Sequence, residues 1–149
     1  MNQKLAHPAG CLLLLAALLG PAPFAQAHDC TVSDAAGRYG HTSTGTIVTP
    51  AVGPFTAVGH VTFTTSGTLS GAQTTSIAGT LVAETFQGTF TVNPDCTGSA
   101  TVYVYHGSTL ARTSQLDMVW DIHHSEVRAI FLTPGTNISI TARKMSEDY

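Results

Sequence analysis

Beyond Gly37, apolar and polar residues alternate with a period of two. Phe55, Ala57, Gly59, Val61 and Phe63 share one strand face; Leu116, Met118, Trp120 and Ile122 share a second, and Ile138, Ile140 and Ala142 a third. The opposite faces carry Thr56, His60, Thr62, Asp117, Asp121, Ser139 and Thr141. The runs are separated by Thr65-Ser66-Gly67, Asn93-Pro94-Asp95, His106-Gly107-Ser108 and Thr133-Pro134-Gly135. These residues favour turns because Gly admits positive φ, Pro presets its own φ, and Asn, Asp and Ser bond their own backbone. The pattern predicts strands over 37–48, 55–65, 68–75, 80–92 with a kink at Gly88, 99–106, 112–122, 127–132 and 136–144, with one helical turn over 31–36. One apolar and one polar face per strand, with short connections, means an antiparallel meander. About eight strands can close on themselves and so remove free edges. The expected architecture is an all-β, up-and-down β-barrel with its apolar face inward, and a sandwich is the alternative. Phe55, Phe63, Phe90, Met118, Trp120 and Phe131 are the expected lumen-lining residues.

The first 27 residues have a different pattern. Lys4 precedes a short apolar run over 11–19, and Ala25-Gln26-Ala27 follows, the small-x-small pattern of a signal-peptidase site. The run is too short to span a bilayer. Cleavage after Ala27 leaves an exported chain, periplasmic or secreted, that begins at His28. Removing 27 of 149 residues leaves 122, enough for one domain over 28–149. That part holds nine acidic and five basic residues, a net charge of −4. It has no basic patch, which argues against nucleic-acid or anionic-membrane partners. Cys30 and Cys96 remain once Cys11 leaves with the leader. In an oxidising compartment such a pair is most simply a disulfide, and no CxxC spacing supports a metal site. It would tie the N-terminal segment to the turn after the fourth strand.

The order Gly37-x-Tyr39-Gly40, then the run from Gly88 to Gly98, then Glu126-Val127-Arg128 and Thr133-Pro134-Gly135-Thr136 resembles a group of small exported bacterial proteins. These are similar in turn to calycin-like and allene-oxide-cyclase-like β-barrels. The resemblance covers most of 37–144 and implies the barrel; its motifs are turn and strand residues, so no catalytic role comes with it.

Candidate chemistry is sparse. An N-terminal His28 could chelate copper through its amine and Nδ1, with His41, His60, His106, His123 or His124 completing the site. His123 and His124 adjoin each other in a hairpin turn, where strand geometry would point them apart, so they read as exposed polar residues. Tyr103 and Tyr105 share one strand face and His106 the other, near a barrel mouth where a His could act as acid or base. Asp117 and Asp121 lie about 13 Å apart along a strand, beyond the roughly 5–10 Å of a glycosidase pair. With Arg112 and Arg128 nearby, they read as outer-wall ion pairs. No nucleophile elbow, phosphate loop or zinc motif occurs. The expected function is a cofactor-free, non-catalytic barrel that binds a small apolar ligand or a protein partner. A cyclase or isomerase is the alternative, recognisable by at least two polar side chains inside an apolar lumen.

Overall fold

Alternation of buried and exposed positions carries through eight strands: β1 (Gly37–Ile47), β2 (Gly53–Phe63), β3 (Thr68–Ile77), β4 (Thr80–Val92), β5 (Thr97–His106), β6 (Thr109–Trp120), β7 (Glu126–Phe131) and β8 (Thr136–Lys144). In the computed structural model, which describes residues 29–49 and 52–145, each strand pairs antiparallel with its chain neighbour. β8 returns to β1, with Ser43 opposite Ile140, and closes the barrel. Among the described residues, no helix is long and apolar enough to cross a membrane.

One end of the barrel is stoppered by aromatic rings. Phe63 packs edge-on against Tyr39, Phe90 and Trp120, with centroids 5.4, 4.8 and 6.0 Å apart. The single turn α1 (Val32–Ala35) belongs to this end, capped by Thr31 and Asp34 in a reciprocal box. It is fastened at three points. The Cys30–Cys96 disulfide links it to the β4–β5 turn, the Cys30 N–H donates to Pro94 O at 3.1 Å, and the single Tyr39 hydroxyl proton is shared between Ala35 O at 3.1 Å and His124 O at 2.9 Å. Phe55, Ala57 and Ile138 form a second apolar cluster, with Ile47, Ile77 and Phe131 packed against it.

Two sequence expectations about facing are corrected. Ile122 is not inward. β6 ends at Trp120, Asp121 opens the next turn, and Ile122 is 66% exposed. Arg112 does not lie on the outer wall either. It has the same parity as Ser114, Leu116, Met118 and Trp120, which are all buried, and it points inward.

Candidate functional site

The strand register places His41, Gly59, Gln73 and Glu84 directly opposite one another across β1, β2, β3 and β4. Gly59 is what lets this row connect. It leaves no side chain between His41 and Gln73, and an added Cβ would lie 2.2 Å from Ala72 O. His41 Nε2 is 3.0 Å from Gln73 Oε1, and Gln73 Nε2 donates to Glu84 Oε2 at 2.7 Å and to Thr75 Oγ1 at 3.1 Å.

Glu84 anchors the row. Its side chain is fully buried, and it accepts from both Nη atoms of Arg112 (2.7 Å from Nη2), from Gln73, from Thr75 Oγ1 at 2.8 Å and from His106 Nε2 at 2.9 Å. Burial alone would raise its pKa. The hydrogen bonds from Arg112, Gln73 and His106 outweigh that effect and hold it at about 2. The Arg112 and His106 side chains are 29% and 48% exposed, so this ion pair sits where the lumen meets solvent.

Hydrogen-bond chemistry fixes the protons along the row. The ionised Glu84 carboxylate can only accept, and Thr75 spends its own proton on Glu84. The Gln73 NH2 group must therefore face Thr75 and Glu84, which leaves Oε1, an acceptor, toward His41. His41 Nε2 must then carry the proton. Burial lowers the His41 pKa, opposed by the Gln73 hydrogen bond and aided by the nearby His60, which favours the neutral ring; with the proton on Nε2, Nδ1 bears a lone pair. Among the described residues that buried Nδ1 has no hydrogen-bond partner.

His41 lines a partly open cavity of about 80 Å³ in the lumen. The walls are mainly apolar, from Val102, Val104, Leu116, Met118 and Ile140 among others, with Ser43, Ser114 and Arg112 toward the polar row. Of the six expected lumen residues, Phe63, Met118 and Phe131 line this cavity. Phe55, Phe90 and Trp120 are buried beyond it, in the clusters described above.

His28 lies outside the described residues. His41 and His106 meet at the polar row through Gln73 and Glu84, while the His123–His124 turn lies elsewhere, beside the disulfide. His124 is a further correction. It is buried, with its carbonyl accepting from Tyr39 Oη at 2.9 Å and Nε2 only 3.2 Å from Cys30 Sγ. The hairpin turn takes a left-handed residue there (φ 53°), which rotates the ring inward while His123 stays exposed. Cys30, Cys96 and His124 bring three donor atoms within 4.8 Å of one another, but the disulfide uses both sulfurs. Burial, reinforced by Asp121, pushes the Tyr39 phenol up to about 12, so it acts as a neutral donor.

Among the described residues, the outer-wall ion pairs are Glu126 with Arg128 at 2.7 Å and with Arg143 at 3.0 Å. Asp121 instead accepts from Ser125 and the Glu126 N–H within its turn, and its carboxylate is held below the usual range. Sequence reasoning missed Gln73 and Glu84. The usable signal was parity, since Glu84 shares a face with Phe86 and Phe90, and Arg112 with Leu116.

The chain matches no protein-family model, no curated protein and no solved structure. The fold and the site therefore stand on this chain's own residues.

Proposed function

We propose that the protein is an exported, non-catalytic binding barrel whose lumen takes a compact, largely apolar small molecule. The observation that carries this reading is the cavity of about 80 Å³, walled by aliphatic side chains and bordered on one side by polar groups. That combination is the common design of small-ligand sites. The space is small, so the resting lumen suits a compact molecule, or the end of one. Long acyl chains exceed it.

The cyclase or isomerase reading has support in the polar groups that converge on the lumen. Binding is favoured over catalysis because Glu84 is already saturated by Arg112, Gln73, Thr75 and His106. Its depressed pKa also makes it a poor proton donor or acceptor near neutrality. A reaction would need His41 to act as both acid and base.

The test is methyl NMR of the mature domain titrated with cyclopentane. Saturable shifts are expected at Val102, Leu116 and Met118, which line the cavity, and none at Val58 and Val119, which face solvent. Shifts confined to the outward valines, or none at all, would overturn the reading.

A further inference from the structure

We infer that the lumen selects neutral molecules presenting a single N–H or O–H donor, and that Nδ1 of His41 is the atom that recognises it. The inference rests on the binding reading above and names the ligand's chemistry.

Each link in the row is a geometric consequence of the one before. Arg112 holds Glu84 ionised, Glu84 and Thr75 orient the Gln73 amide, and Gln73 Oε1 takes the Nε2 proton of His41. The tautomer is thereby set by residues three strands away. What remains free is one acceptor lone pair on a ring that is 6% exposed and lines the cavity. A buried acceptor without a partner is costly, and a ligand that donates to it recovers that cost as affinity.

The same arrangement disfavours other ligands. An anion would face a lone pair and a carboxylate, while the guanidinium of Arg112 is already committed to Glu84. A cation would lose its hydration with the Glu84 oxygens occupied by five donors. The Glu84–Arg112 pair carries no net charge, so neither ion is drawn in. A neutral acceptor would set one lone pair against another. A neutral donor alone completes the site.

Three five-membered rings separate these cases: pyrrole donates, furan, of nearly the same size, only accepts, and the somewhat larger cyclopentane does neither. Titrated against the lumen methyls of Val102, Leu116 and Met118, pyrrole is expected to bind about tenfold or more tighter than furan. In His41→Phe the pyrrole preference should vanish while cyclopentane still binds, which also reports that the barrel is intact. An independent readout avoids the variant: 15N NMR of the wild type should find Nδ1 unprotonated and Nε2 protonated, with pyrrole moving the Nδ1 resonance. Equal affinities for pyrrole and furan, or the opposite tautomer, would overturn the inference. If none of the three molecules shifts a lumen methyl, the binding reading itself fails.

Discussion

Replacing Arg112 by Met isolates the electrostatics of the lumen. The substitution keeps an apolar stem of similar reach and removes the guanidinium that binds Glu84 through both Nη atoms. In the wild type Glu84 is held at about 2, against an ordinary 4.5. That shift contributes about 3 kcal/mol of stability, fully present above pH 4.5 and lost as pH falls toward 2. In the variant, burial is opposed only by the Gln73, Thr75 and His106 hydrogen bonds, so the Glu84 pKa moves up from about 2. The variant therefore lacks much of the stability that the wild type gains as pH rises from 2 to 4.5. Breaking one partner of a buried pair typically costs 3–5 kcal/mol, so a loss of about that size is expected at pH 7. Urea unfolding followed by circular dichroism at pH 3.5, 5 and 7 measures both slopes. The difference between wild type and variant should grow with pH, and Glu84→Gln added to Arg112→Met should recover most of it. A difference that is flat across this range, or below about 1 kcal/mol at pH 7 as for an exposed pair, would refute the reasoning.

Trp120→Ala removes a ring packed on Phe63 and Phe90 and should cost about 3–5 kcal/mol in urea unfolding; a loss under about 1 kcal/mol would contradict its buried role. Reducing the Cys30–Cys96 bond should lower Tm, expose the segment before Gly37 to proteolysis and leave the strand circular dichroism intact, because the bond spans 66 residues but joins α1 to only one turn. Two free thiols titrating in folded, unreduced protein would count against that. N-terminal sequencing of exported protein should begin His28-Asp29-Cys30, and any other start would move the proposed cleavage site.

The barrel was legible because alternation with a period of two is strong wherever one face is apolar, as in Phe55–Phe63 and Leu116–Trp120. Its limits show where that contrast fades. β3 runs to Ile77 and β4 starts at Thr80 because Ala78 and Gly79 both take positive φ (48° and 89°) in a two-residue turn, and an Ala does not announce that conformation. β6 starts at Thr109 and not at 112, where its pairing with β5 absorbs a register shift at Val104/Tyr105. The site was harder to read. Gln73 sits in the run Ser70-Gly71-Ala72-Gln73-Thr74-Thr75-Ser76, where both faces are polar and the period carries no signal. Arg112 reads outward when it is taken as an ion-pair partner of Asp117 and Asp121, whereas its parity with Leu116 places it inside. That His41 and Glu84 meet through Gln73 depends on the register of four strands and on Gly59 between them, and no local window contains that information.

The most direct measurement is a crystal structure of the mature domain under xenon pressure. Xenon enters apolar cavities without needing a polar contact, so it reads the lumen separately from His41. A xenon atom among Val102, Leu116 and Met118, with the Phe63, Phe90 and Trp120 rings still closing the far end, is the predicted result. A lumen filled by inward rotation of those rings, with no xenon inside the barrel, would contradict a binding role for it.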